Sequence, residues 1–295
     1  MPRYEYRLVD VFTNERFGGN PLAVFPRAEE LYPELMQRFA AELNLSEATF
    51  VLPSTRRDCD YRVRIFTPRS ELPMAGHPTV GTAFVLSHGD RVVFEEGVGP
   101  IPVDRTTSPA GAPIWRMTQP RPRFASRFDD LAAVAAALSL APGDVLPSPP
   151  PTVVSTGMPY LIVPLRDLGA LGRARVDPER WERLAGAERE LQAYPFVQTA
   201  TGSLAPPRFR CRMFAPSQGI SEDPATGSAA GPLGAYAVVH GLVVPGAPAR
   251  LEVEQGVEMG RPSRLYVEVE GAPSDIPAVR VGGECVSMGG GYFEL

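Results

Sequence analysis

The chain has 295 residues, 44% apolar and 21% charged, with a formal charge of −5. That is an ordinary globular composition, long enough for two domains, and its acidic balance excludes the clustered basic surface of a nucleic-acid binder. All 29 basic side chains are arginine, so without a lysine the Schiff-base, Walker-type and kinase chemistries are excluded.

The predicted elements favour strands, because 28 Gly and 33 Pro imply short segments joined by tight turns. Tyr4 to Phe12 and Pro21 to Phe25 read as strands around a turn at Gly18-Gly19-Asn20. Leu31, Leu35, Phe39 and Leu43 repeat at helical spacing and predict a helix from Leu31 to Leu43. Strand patterns follow at Thr49 to Leu52, Cys59 to Phe66, Val92 to Glu95 and Ile114 to Met117. Arg127 to Leu140 predicts an Ala-rich helix with Asp129 and Asp130 at its start and Pro142-Gly143 at its end. Pro147 to Pro151 is the best linker candidate. Strands resume at Val153-Val154 and Tyr160 to Val163. Short helices are predicted at Asp177 to Ala185 and Glu188 to Ala193. Further strands are predicted at Arg208 to Phe214, Leu251 to Glu254 and Arg264 to Glu270.

An internal repeat runs through this order. Arg64-Ile65-Phe66-Thr67-Pro68 matches Arg212-Met213-Phe214-Ala215-Pro216. Glu71-Leu72-Pro73-Met74-Ala75-Gly76-His77 matches Glu222-Asp223-Pro224-Ala225-Thr226-Gly227-Ser228. His88-Gly89 matches His240-Gly241. Each copy has a strand ending at Phe-x-Pro, an acidic loop, a small residue and a Gly, then a helix. The helices, roughly Pro78 to His88 and Ala229 to His240, are apolar on nearly every face and must be buried. His88 and His240 read as helix-end caps, each followed by a C-cap Gly. The start of each helix exposes unpaired N–H groups and a positive dipole end. One such start is commonly only a helix beginning; two matched starts facing each other would make a cleft for a carboxylate.

Other signals are negative. Cys59, Cys211 and Cys285 are scattered and odd in number, which suggests a reducing compartment, and no His/Cys spacing predicts a metal centre. The run from Pro224 to Ala249 is uncharged but broken by Pro, Gly and His240, so it reads as a helix, a turn and a strand rather than a membrane span. MPRYEYRLVD lacks the apolar core of a secretory leader. A cytoplasmic protein is expected, with no membrane and no nucleic-acid partner.

The motifs Val9-Asp10-Val11-Phe12-Thr13, Gly19-Asn20-Pro21-Leu22-Ala23-Val24, Leu45-Ser46-Glu47-Ala48-Thr49-Phe50 and the two Gly-containing repeats resemble the phenazine-biosynthesis PhzF-like isomerases. These have the diaminopimelate-epimerase-like fold. The resemblance covers most of the chain. It departs at Ala48, where the family usually has Thr. It implies an α+β protein of two pseudo-symmetric domains, each a buried helix wrapped by strands: 1–125, 126–280, and a tail 281–295 that returns to the first. It implies a homodimer. The family reaction of this kind is a cofactor-free isomerisation of a cyclic dihydroxy-diene carboxylic acid.

Glu47 lies between a helix end and the apolar stretch Ala48 to Leu52. A lone Glu is more commonly exposed or capping, but semi-burial there would raise its pKa toward that of a base near neutrality. The resemblance implies that Glu47 is the acid/base and that His77 and Asp223 are its catalytic partners. It also implies that Ser228 and the helix starts at Gly76 and Gly227 bind substrate. Ser46 and Asn20 are further substrate-binding candidates, and Glu222 is expected to be structural. The superfamily's paired catalytic Cys are Ala75 and Thr226 here, so two-thiol racemisation is unavailable. The expected function is a cofactor-independent isomerase, without metal, that moves a proton on a small carboxylic acid. A non-catalytic small-molecule-binding or interaction protein on the same fold is the alternative.

Overall fold

The computed structural model describes residues 2–86, 89–201, 205–244 and 248–295. The first half runs β1 (Arg3–Val11), β2 (Asn20–Phe25), α1 (Pro33–Leu43), β3 (Glu47–Pro53), β4 (Tyr61–Phe66), β5 (Glu71–Leu72), α2 (Gly76–Leu86), β6 (Arg91–Glu96), β7 (Gly99–Thr107) and β8 (Pro113–Gln119). The second half begins with β9 (Arg123–Arg127), α3 (Leu131–Ala137), β10 (Thr152–Ser155), β11 (Pro159–Pro164), α4 (Leu168–Arg173) and α5 (Pro178–Ala185). It continues with β12 (Gln192–Ala200), β13 (Arg208–Cys211), β14 (Met213–Ala215), β15 (Ile220–Asp223), α6 (Gly227–Val239), β16 (Ala249–Gln255), β17 (Ser263–Ala272), β18 (Asp275–Gly283) and β19 (Cys285–Glu294).

Hydrogen-bonded strands follow one another as β19-β1-β2-β3-β4-β6-β7-β8 and then β18-β17-β16-β13-β12-β11-β10-β9. The order is a palindrome about the β8–β18 pair. Parallel pairs fall at matching places, β2–β3 and β4–β6 in one half, β11–β12 and β13–β16 in the other. The α+β fold is therefore two pseudo-symmetric halves. Each wraps one helix that is apolar all round: α2 touches β1, β2, β3, β7 and β8, and α6 touches β10, β11, β16, β17 and β18. One hydrophobic core runs through both halves, from Val9 and Val80 to Leu233 and Val281.

Register extends the repeat beyond its motifs. Ile65 faces Leu72 as Met213 faces Asp223. Ala48 faces Phe66 as Ala193 faces Phe214. Arg62 faces Glu95 as Arg210 faces Glu254. The counterpart of Glu47 is thus Gln192, that of Asp223 is Leu72, and that of Glu96 is Gln255. The same device braces both copies. Arg64 makes paired 2.7 Å bonds to Glu71, and Arg212 makes paired 2.7 Å bonds to Glu222. Each guanidinium also lies over the Phe two residues on, Phe66 or Phe214.

Several expected elements differ. α1 starts at Pro33, not Leu31, because a Pro pushes the residue before it into extended backbone and suits the first helical position. α3 covers only Leu131–Ala137. Arg127 lies in β9, paired with β10, and Asp130 caps the helix by accepting from Ala133 N. Glu188 to Ala193 is no helix: residues from Gln192 form β12 between β11 and β13, where sheet pairing overrides helical preference. Pro147 to Pro151 separates no units, since Val145 and Val153 on either side pack into one cluster. The buried helices begin at Gly76 and Gly227, two residues before the expected starts. His240 does cap α6, its N–H donating to Tyr236 O; His88 lies outside the described residues. No helix among the described residues is long and apolar enough to cross a membrane.

The N-termini of α2 and α6 touch. A Cβ added to Gly76 would collide with Ser228 N and stand 2.5 Å from Gly227 Cα. Gly76→Ala should therefore lower unfolding free energy by about 1–3 kcal/mol or more, the usual cost of overpacking. Gly172→Ala, into open space on α4, should cost nothing. Equal stability of the two variants in urea titrations would mean that the helix starts are not in contact.

Candidate active site

Each side chain is placed by a local rule. α1 ends at Asn44, whose left-handed backbone (φ 50°) turns the chain and whose N–H donates to Ala40 O. Ser46 follows, and Glu47 opens β3 beside Leu22 of β2. Gly19, at φ +60°, ends the preceding turn so that Asn20 opens β2. His77 is the second residue of α2 and Ser228 the second of α6, while Asp223 ends β15. Glu47, His77, Asp223, Asn20 and Ser228 are all buried.

Asn20 joins the two halves. Its Nδ2 donates to Asp223 Oδ1 (2.8 Å) and Ala225 O (3.0 Å) and lies 2.9 Å from His77 Nδ1. Ala225 O can only accept, so the amino group of Asn20 faces this cluster. An amide nitrogen cannot accept, so His77 Nδ1, which faces that amino group, carries no proton, and the ring proton is on Nε2. That nitrogen lies 3.3 Å from Glu47 Oε2, without hydrogen-bond alignment. Thr226 Oγ1 donates to Asp223 Oδ2 at 2.6 Å, and Ser46 also bonds to Asp223.

Burial governs the charges. It lowers His77 to about 3, so the ring is neutral. Glu47 is raised well above its ordinary value, first by burial and then by the charge of Asp223. Burial lifts Asp223 to about 6, opposed by its bonds from Thr226, Asn20 and Ser46. The two carboxyl groups oppose each other's ionisation and titrate as a coupled pair. Glu47 Oε2 has no hydrogen-bond partner and is the group free to meet a substrate.

One ligand atom each from Glu47, His77 and Asp223 lie within 4.8 Å of one another. An imidazole with two carboxylates is a donor set that a divalent cation can use. The hydrogens around it oppose that use: Asn20 N–H and Thr226 O–H point at Asp223, and the Asn20 amino group covers His77 Nδ1. The thiols are elsewhere in the fold. Cys211 lies on β13, where burial pushes its pKa up, and Cys285 begins β19, pushed up to about 12 by burial.

Sequence reasoning missed Tyr160, whose hydroxyl is 2.7 Å from Ser228 Oγ and whose pKa is raised mainly by burial, with the charges of Asp223 and Glu47 adding to it. A signal existed: Gly157-Met158-Pro159-Tyr160 repeats Gly19-Asn20-Pro21-Leu22. It also missed Gln255, which donates to Asp223 O and Thr226 Oγ1 and accepts from Thr226 N.

The family model described as "Phenazine biosynthesis-like protein" matches residues 9–291. A trans-2,3-dihydro-3-hydroxyanthranilate isomerase of Pseudomonas aeruginosa is 38% identical, over 99% of this chain and 100% of its own. An uncharacterised isomerase of Mesorhizobium japonicum is also 38% identical, over 99% of each chain. Among solved structures, a phenazine biosynthesis protein of the PhzF family from Bacillus anthracis superposes with a TM-score of 0.88 at 27% identity, covering all of both chains. An isomerase relative over the full length, a matching family model and a shared fold agree: the chain belongs to the phenazine biosynthesis-like, or PhzF, family of isomerases.

Proposed function

We propose that the protein is a cofactor-independent isomerase that moves a proton between two carbons of a small unsaturated carboxylic acid, with Glu47 as the proton carrier. The observation that carries this reading is the carboxyl of Glu47: buried, its Oε2 without a hydrogen-bond partner, and mirrored across the halves by Gln192, which cannot hold a proton. As a carboxylate Glu47 takes a proton from one carbon; as an acid it returns that proton to another. Asp223 raises the pKa of Glu47 through its charge, and neutral His77 stands beside Glu47 with Nε2 3.3 Å from Oε2. The first-turn N–H groups at Gly76-His77 and Gly227-Ser228 hold the substrate carboxylate and any negative charge that develops. Ser46 and Asn20 complete the wall.

The compound named for the Pseudomonas aeruginosa relative is the first substrate to try. As named it carries one hydroxyl and an anthranilate amine, not the two hydroxyls expected from the family resemblance. Because Glu47 and Asp223 are buried, the substrate enters when the halves part about the β8–β18 seam and is enclosed when they close, which excludes water and strengthens the local electrostatics. Small-angle scattering should show compaction with a tight-binding carboxylic acid; no change would remove the closure step. The reading is of a cytoplasmic homodimer, and a 31.9 kDa particle by light scattering would overturn the dimer.

Glu47→Gln keeps size and polarity but cannot carry a proton. Turnover should fall by about 10²–10⁴-fold or more, the contribution of a general acid/base, while ligand binding and folding persist. Normal turnover by this variant would remove Glu47 from the role. Absence of solvent-deuterium incorporation by the wild-type protein, across a panel of cyclic unsaturated carboxylic acids, would favour the binding-protein alternative.

Two further outcomes test the electrostatics. The first step needs ionised Glu47, so kcat/KM should rise with pH through a limb set by the carboxyl pair. Asp223→Asn removes the charge that raises Glu47, and the limb should move to lower pH; a limb that stays in place would show that Asp223 does not act on Glu47 by its charge. Dialysis against a chelator should leave turnover unchanged, and loss that a divalent cation restores would assign Glu47, His77 and Asp223 to a metal instead.

A further inference from the structure

Glu96 ends β6 and is buried beside the start of α2. Its Oε1 lies 2.6 Å from Thr79 Oγ1, and its Oε2 has no hydrogen-bond partner. Thr79 Oγ1 is also 2.6 Å from Ala75 O. A hydroxyl has one hydrogen. A carbonyl can only accept, so at 2.6 Å that hydrogen belongs to the bond with Ala75. Toward Glu96, Thr79 then offers only a lone pair, and the hydrogen in that contact must come from Glu96.

In the second half the equivalent strand position holds a neutral donor that braces the other helix start through different partners. Phe94-Glu95-Glu96-Gly97-Val98 repeats as Val253-Glu254-Gln255-Gly256-Val257, and strand register makes Glu96 the counterpart of Gln255. Gln255 donates its amide hydrogens to Asp223 O and Thr226 Oγ1, holding the chain as it enters α6. We propose that Glu96 is a positioning residue that works as an un-ionised carboxylic acid, donating to Thr79 and so fixing the Ala75 carbonyl and the first turn of α2 that carries His77.

The surroundings leave that acid undisturbed. On neighbouring elements, His77 is neutral, Glu71 is bonded to Arg64, Glu95 turns to Ser54 and Thr55, and Asp104 pairs with Arg91. No charged group shifts Glu96. Burial raises it from 4.5 to about 8. Above that pH the carboxylate would lose its donor hydrogen and set lone pair against lone pair at Thr79, loosening α2.

The structural part of the test does not depend on the proposed reaction. The folded protein keeps the Glu96 proton to about pH 8, whereas the unfolded chain releases it near 4.5. The stability linked to that proton is therefore full below pH 4.5 and is lost as pH rises to about 8. Glu96→Gln, which copies Gln255, should gain in Tm over wild type progressively across that window and hold a constant lead above it. Parallel Tm profiles would overturn the proposal. If Glu96→Gln does not fold, carbon-13 NMR of glutamate-labelled Glu47→Gln protein decides: one glutamic acid un-ionised at pH 7 supports it, and none overturns it.

With an active substrate, which rests on the reading above, Glu96→Gln should keep kcat and lose the wild-type decline near pH 8. Glu96→Ala should lower kcat more than it changes KM. Retention of that decline in Glu96→Gln would overturn the positioning role even if Glu47 is the proton carrier.

Discussion

The site depends on two helices that meet end to end. Gly76 and Gly227 are the first residues of α2 and α6, and nothing larger than hydrogen fits where they touch. Two helix N-termini at this distance present positive dipole ends to each other, a repulsive arrangement unless an anion lies near. Asp223 is that anion. Thr226, just before α6, donates to one of its oxygens, and Asn20, which also reaches His77 at the start of α2, donates to the other. Its charge in turn helps keep the proton on Glu47. The close helix contact, the charge of Asp223 and the raised pKa of Glu47 form one chain of cause.

Symmetry supplies the frame, and departures from it supply the ionisable residues of the candidate site. The Arg64–Glu71 and Arg212–Glu222 braces are the same in both halves, down to the Phe under each guanidinium. The residues that reach the seam are not: Glu47 is matched by Gln192, Asp223 by Leu72, His77 by Ser228 and Asn20 by Met158. Duplicating the ionisable set would bury two more charges in one low-dielectric space, and the desolvation cost of each buried charge is large.

Much of this was legible in the sequence because it is carried by local rules. Two helices apolar on every face have to be wrapped, and the Phe-x-Pro repeat located both. Glu47 stood out through the family resemblance, since a lone Glu between a helix end and an apolar strand is more commonly exposed or capping. What was not legible depends on contacts between distant residues. Gln192 and Ala193 favour a helix but lie in β12 because β11 and β13 are there to pair with them. Tyr160 looked like an ordinary strand residue and Gln255 lay just past an expected strand, since their roles come from Ser228 and Thr226 across the fold. Both lie in repeated segments, so comparing the halves residue by residue would have exposed them, whereas a search for catalytic residue types could not.

The mirror pair Glu47 and Gln192 bears on stereochemistry. Inverting a carbon centre needs one group to take a proton and a second, on the opposite face, to deliver one. The seam between pseudo-symmetric halves is suited to that, because equivalent residues approach from opposite sides. In this chain the position across from Glu47 carries an amide, and the positions of the superfamily's two thiols are Ala75 and Thr226, the latter committed to Asp223. On the proposed reading, a proton taken by Glu47 can return only from Glu47, on the same face of the substrate. Fold symmetry then serves to align two helix dipoles on one carboxylate, and its loss at residue 192 limits the chemistry to moving a proton along a face rather than through it.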